Sequence, residues 1–306
     1  MSAVQAASLP AVARPPKRRI RLRPSRIVLN VVLAAIAIFW LVPAIGVAII
    51  SLRPQSAFDQ SGWWTVLTAP AQLTFDNYKT LFSAGFQQGG VLDSLITSVA
   101  ITVPVTILVT VISSLTAYSL VFGRWRGRIV VFLLIVAMLV LPLQMALIPV
   151  ASLYNLVGSA TGVKLFGTLI GAIIFHVAFG LPFGIFLMRN FYTGIPLDLL
   201  EAGRIDGAGE WTLFRRVVMP LGLPALASLA IFQFIWVWND LLVALIFLSG
   251  NLHQTLTLFL FAQTRSLSSN YWVISTGAMI SIVIPLIVFF GFQRYFVRGV
   301  LAGAVK

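Results

Sequence analysis

The chain has 306 residues, of which 59% are hydrophobic and 9% charged, with no cysteine and a formal net charge of +13. A soluble domain carries about a quarter charged residues, so this composition excludes an ordinary soluble protein and indicates an integral all-α membrane protein. Without cysteine there is neither a disulfide framework nor a thiolate metal site.

Residues 1–26 form a Pro- and Ala-rich arm that ends in a basic run, RPPKRRIRLRPSR. Basic flanks of this kind stay on the cytoplasmic side. Residues 27–50 are uncharged, long enough at 1.5 Å per residue to cross a core of about 30 Å, and too long for a signal-peptide core. Residues 51–90 mix Pro54, Asp59, Trp63, Trp64, Pro70, Asp76 and Lys79 and read as an external loop. A core transmembrane region, 91–293, follows. Asp93 opens a second span over 94–122, which Pro104 should kink. The turn 123–128, GRWRGR, is basic and therefore internal. Residues 129–150 are the expected third span, loosened by Pro142 and Pro149, and 151–166 a small external loop. The fourth span covers 167–188 and contains His176, Gly180 and Pro182. The interval 189–219 is charged, and the fifth span runs from about Pro220 to Leu248. Residues 249–271 read as external, because the apolar stretch 256–262 is too short to cross. The sixth span is 272–292, with a basic tail at 294–306.

Charge tests this arrangement. Arg and Lys number seven in the arm, three in 123–128, four in 189–219 and three in the tail, against four in all the external segments. That asymmetry is the positive-inside bias for six spans with both termini cytoplasmic. The surplus charge is therefore an orientation signal, and no nucleic-acid partner is needed.

The interval 189–219 has its own internal logic. Pro196 suits the first position of a helix, since its missing N–H would be unpaired there. Residues 197–205 then form a short helix, stopped near Asp206-Gly207, where glycine supplies a left-handed terminus. Asp198, Glu201 and Arg204 make one charged stripe. The small Ala202 and Gly203 permit close approach of a partner. Gly203 lowers helix propensity by about 1 kcal/mol against alanine, so the helix should lean on that partner for order. Trp211, Phe214 and Val218 follow i, i+3, i+7, a stripe suited to a second helix lying along the membrane interface.

The spacing here is specific. Glu201-Ala202-Gly203 is followed three residues on by Asp206-Gly207-Ala208, and nine residues after Gly207 come Val217-Val218-Met219-Pro220. This resembles the EAA loop of ABC-importer permeases, departing from it at Gly203, where alanine is commoner, and at Met219, where leucine is. The stretches DSLITS, SLTAYSL with GRWRGR, WVWND and GVLAGAVK are similar to carbohydrate-uptake permeases of the maltose-importer type. They most resemble the second permease, with six spans, although the family more often has Asn where Asp93 stands.

The resemblance implies a bacterial inner-membrane permease subunit that translocates a sugar or oligosaccharide. A second permease would pair with it as a heterodimer, and an extracytoplasmic solute-binding protein would deliver the substrate. Dimeric cytoplasmic ATPase subunits would carry the ATP and Mg, so that this chain binds no cofactor and catalyses nothing. The loop 189–219 would be the coupling element, with Glu201, Ala202, Gly203, Asp206, Gly207, Ala208 and Pro220 as its residues. The tail residues Gly299, Gly303 and Lys306 would reach into the ATPase dimer, and the external loop before the last span would probe the binding protein.

Asp240 is the one acid inside an expected span, and such residues usually face a cavity or a partner. Beside it Asn239 offers amide donors and an acceptor, while Trp236 and Trp238 suit the apolar faces of a sugar. Trp236, Asn239 and Asp240 are thus candidates for the substrate path, or else a structural patch with the tryptophans as interfacial belt residues. His176 reads as a packed intramembrane histidine, and His253 as an external loop residue. The dipeptide Gly-Lys is absent, which excludes a P-loop, and no HExxH, GxSxG or metal-ligand spacing occurs. A secondary transporter of a small polar solute is the alternative reading. It calls for inverted repeats and ion-coupling residues at mid-membrane, where only Asp240 qualifies.

Overall fold

The computed structural model describes residues 24–68, 70–83, 89–250, 253–264 and 271–304, apart from the side chains of 24–27, 58–59, 71 and 294–304. All regular elements among these residues are helical. In chain order the α-helices are α1 (Pro24–Ser51), α2 (Gln55–Gln60), α3 (Asp76–Ser83), α4 (Val91–Phe122), α5 (Arg128–Met138), α6 (Leu143–Thr161), α7 (Leu169–Tyr192), α8 (Leu197–Ile205), α9 (Glu210–Leu213), α10 (Met219–Trp238), α11 (Leu242–Phe247), α12 (Leu256–Thr264) and α13 (Tyr271–Ala304), with short 3-10 helices at Trp63–Leu67 and Pro70–Gln72 and a π-helical turn at Phe214–Val218. Six stretches are long and apolar enough to cross a membrane: Val28–Ser51, Val91–Phe122, Leu143–Thr161, Leu169–Tyr192, Glu210–Trp238 and Tyr271–Gln293. The chain divides into two compact units, one ending at Ile45 and the other starting at Gly46. In the first, α1 is apolar and exposed, with Phe39 and Trp40 among its outward side chains.

Several boundaries differ from the sequence expectation, each for a local reason. The expected third span at 129–150 is two helices. α5 ends at Met138, and α6 starts after Pro142 and continues to Thr161, through what was expected to be an external loop. Pro142 has extended backbone at the start of α6, as a residue without an N–H allows. The expected fifth span at 220–248 is also broken. α10 stops at Trp238, and the short α11 follows Asn239-Asp240. At its other end the same crossing is longer than expected, because α9 runs into α10 without interruption. The separate interfacial helix expected from Trp211, Phe214 and Val218 is therefore the first part of the fifth crossing. Phe214 and Val218 are buried in the core, and only Trp211 is exposed. The expected tail from residue 294 continues α13 as far as Ala304, with Gly299 and Gly303 on its last turns. Lys306 lies outside the described residues, as does the basic arm up to Arg23.

The segment between α1 and α3, expected as a plain loop, folds around Arg53. This side chain is fully buried, held by backbone carbonyls and uncharged side chains. Its Nη1 donates to the carbonyls of Ser61 and Gly62 at 3.1 and 2.8 Å, and its Nη2 to Ala57 O at 2.8 Å and Ser61 Oγ at 2.7 Å. Asn77 closes the unit by donating Nδ2 to the carbonyls of Ser51 and Arg53. A fork of donors is required here, and lysine, a point charge, does not supply it. Arg53→Lys should leave the spans folded while this segment opens. Hydrogen bonds to a charged group contribute roughly 1.5–3 kcal/mol, so chymotryptic cleavage at Trp63 and Trp64 should speed up at least about tenfold.

In the membrane-embedded body α4 and α7 form the most extensive helix pair, and α10 packs on α4, α7 and α13. Burial of apolar surface does not by itself drive association inside lipid; close packing does. Two glycines of α7 provide it. A side chain at Gly184 would collide with the Ser113 hydroxyl, and one at Gly180 with Gln233 and Val109.

Candidate functional site

α8 forms over the residues expected for it, with Pro196 as its extended N-terminal cap rather than its first helical residue. Its C-terminus is a Schellman turn. Gly207, at φ +79°, donates its N–H to Arg204 O, and Ala208 donates to Gly203 O at 2.9 Å, which satisfies two terminal carbonyls. The pairing Asp206-Gly207-Ala208 is thus the geometry that ends one helix and turns the chain into the next. Gly203 has an internal reason to be glycine: a Cβ there would lie 2.5 Å from Leu213 Cδ2. At Gly203 the close approach is made by Leu213 of the same chain, while Ala202 stays exposed.

Leu200 anchors α8. It is the one buried residue of that helix, seated among Ala117, Tyr118 and Phe122 of α4, Met188 and Tyr192 of α7, and Phe214 and Val218. The rest of α8 is more open: Leu197, Leu199 and Ile205 are exposed, as are Glu201 and Ala202. Glu201 makes a loose ion pair with Arg124 at 3.8 Å, both side chains largely in solvent.

Two residues that sequence reasoning passed over complete the site. Glu210, the first residue of α9, accepts from Arg204 Nε at 2.9 Å and from Tyr118 Oη at 2.6 Å. The hydrogen bond it donates to Glu210 raises the Arg204 guanidinium above its ordinary pKa, which keeps it cationic throughout. An acid six residues beyond Arg204 across a glycine turn matches no helical spacing rule, so these partners were not legible as a pair. Beyond Glu210, residues 214–218 form one π-type turn, in which Met219 N–H bonds to Phe214 O five residues back. Pro220 explains the offset, since it has no N–H for the carbonyl of Arg216.

The second candidate group lies at the other break of this crossing. Asp240 Oδ2 accepts from Val243 N–H at 2.9 Å and caps α11. It also stands 3.8 Å from His176 Nε2, both side chains being nearly buried. Asn239 donates its side-chain amide back to Ile235 O. Trp238 is buried, stacked on Phe234, and donates Nε1 to Ser281 O at 3.0 Å, so it is neither a belt residue nor available to a sugar. Trp236 meets the edge of His176 at 5.6 Å. The space between His176 and Asp240 is about 10 Å³, room for about one water and for no sugar. His253, expected in a loop, pairs its Nδ1 with Asp93 Oδ1 at 2.9 Å.

Larger spaces lie along α4. Grooves of about 580 and 380 Å³ share Thr110, Val111, Ala230 and Phe292, and run between α4, α10 and α13. Their walls are apolar apart from the hydroxyls of Thr106, Thr110 and Ser114 and the Arg215 side chain.

Residues 80–302 match the family described as binding-protein-dependent transport system inner membrane component. The chain is 40% identical over 279 residues, 91% of each chain, to an osmoprotective compounds uptake permease of Synechocystis sp.. It is 44% identical over 240 residues to an alpha-glucoside transport system permease of Rhizobium meliloti, covering 78% of this chain and 62% of that one. A trehalose transport system permease of Mycobacterium tuberculosis is 33% identical over 270 residues, 87% and 92% of the two chains. Among solved structures, a bacterial ABC transporter involved in alginate import superposes with a TM-score of 0.74 at 24% identity, over 92% of this chain and all of that one. That likeness carries the fold. With six membrane-crossing helices and a family match through all but the first of them, the chain belongs to the inner-membrane permease components of binding-protein-dependent ABC transport systems.

Proposed function

We propose that this permease imports a sugar, an oligosaccharide or a related polyhydroxylated solute, which a separate extracytoplasmic binding protein delivers. A second permease pairs with it, and cytoplasmic ATPase subunits holding ATP and Mg drive the cycle. α8 is the coupling helix in this reading, and both termini lie in the cytoplasm, in keeping with the basic flanks. The observation that carries the proposal is the half-anchored state of α8. Leu200 is the one buried residue of the helix, while Leu197, Leu199 and Ile205 stand exposed beside Glu201. Exposed apolar side chains rimmed by charge mark a protein-binding face. The solute class follows the relatives named for alpha-glucosides and trehalose.

The test is purification from native membranes. The chain should bring down an ATPase and a second permease, and Glu201→Lys should lose the ATPase while keeping the permease. Retention of the ATPase by the Glu201→Lys chain would show that α8 is not the face the ATPase grips. Uptake assays with labelled trehalose and alpha-glucosides, with and without the binding protein, then test the solute class.

A further inference from the structure

Glu210 lies where three parts of the chain meet. Tyr118, near the end of α4, donates to one carboxylate oxygen, and Arg204, in the last turn of α8, donates to the other. The carboxylate itself belongs to the start of the fifth crossing. Hydrogen bonds of this kind, to an ionised acceptor at 2.6 and 2.9 Å, are the strong ones. Elsewhere α8 is held to the bundle by Leu200. Next to the carboxylate a cavity of about 470 Å³ opens between α4 and α8, lined also by Ser119, Phe122, Gly123 and Arg124. The helix is therefore held at Leu200, at Arg204 and where Gly203 meets Leu213, with open space beside the carboxylate.

The backbone route from α8 into the membrane is weak at one place. Immediately after α9 comes the π-type turn at 214–218, where the helical ladder is one residue out of step; such turns recur at functional sites. A displacement of α8 passing along that backbone alone would be absorbed there. The side-chain route avoids it, because Tyr118 and Arg204 share a carboxylate and join α8 directly to α4.

We propose that Glu210 is a positioning residue for coupling, a clasp that makes α8, the head of the fifth crossing and the end of α4 move as one body. Glu201, exposed and loosely paired, stays available to the partner. This inference rests on the importer reading and extends it to Glu210, which the EAA spacing leaves unspecified, and to Tyr118 of α4.

The chain has no cysteine, so one reporter cysteine can follow the motion. Thr110→Cys, in the groove between α4 and α10, would be labelled with a maleimide in the complete complex with its co-purified ATPase, with and without ATP plus vanadate. In that background the labelling rate should change on ATP trapping. Adding Glu210→Gln should shrink the change by about tenfold, the effect of about 1.4 kcal/mol, while the complex stays intact and ATP hydrolysis remains within about twofold. Tyr118→Phe should act in the same direction, and the double variant should be no worse than Glu210→Gln, as expected for groups sharing one contact. A Glu210→Gln complex with the full labelling response would overturn the clasp. So would labelling and hydrolysis falling in the same proportion, or additive effects of the two substitutions. If ATP leaves labelling unchanged without any substitution at Glu210, the importer reading itself fails.

Discussion

Replacing Leu200 by alanine is expected to free α8 from the bundle while the six crossings stay folded. Leu200 is fully buried, and no other residue of α8 is. Removing a leucine from such a socket costs about 2–5 kcal/mol. An isolated nine-residue helix is marginal in water, because isolated helices shorter than about 12–15 residues are. The loss therefore exceeds what α8 can supply by itself, and the Arg204–Glu210 pair, with both side chains partly in solvent, does not replace it. Trypsin should cut at Arg204 many times faster than in the unsubstituted chain, and the ATPase should no longer co-purify. Thermal unfolding of the bundle in detergent should move little. An unchanged cleavage rate at Arg204 would show that α8 is held by something other than its leucine.

The second large effect is expected at the crossing of α4 and α7. Gly184 faces Ser113 so closely that even a Cβ would strike its hydroxyl. Gly184→Leu forces the two helices apart along the most extensive contact in the body, and overpacking of this kind costs about 1–3 kcal/mol or more. Close approach of the backbones is what holds helices together in lipid, so the penalty spreads to neighbouring contacts, including Gly180 with Gln233. Little monodisperse protein should be recovered. The compensated pair is the sharper test: Gly184→Ala should lower the unfolding temperature, and adding Ser113→Gly, which clears the space, should restore most of it. Failure of the second change to rescue the first would mean that the contact does not limit stability.

Both effects sit on residues that look ordinary in the sequence. Leu200 is one of three leucines in the run IPLDLL at the start of α8, and nothing in its spacing says that it alone is buried. Gly184 and Gly180 have no sequence signature beyond being small. Glu210 was legible as an acid but not as the shared partner of Tyr118, 92 positions earlier, because sequence spacing carries no information on contacts between distant helices. Asp240 was legible as costly in a membrane; that it ends the fifth crossing and caps α11 follows from the break at Asn239-Asp240. Arg53 counted as one external charge, and burial by five hydrogen-bonding groups made it the centre of a folded segment.

By itself the sequence determined the class, the six crossings and their expected orientation, and the short helix 197–205 with its glycine stop. These depend on local properties: apolar run length against bilayer thickness, the placement of basic residues, and the conformational freedom of glycine. Only the tertiary structure decided where the third and fifth crossings break, which face of α8 is anchored, and which carboxylate ties it to α4. Those outcomes depend on packing between segments far apart in the chain, where one glycine or one shared hydrogen bond sets the geometry and local pattern is silent.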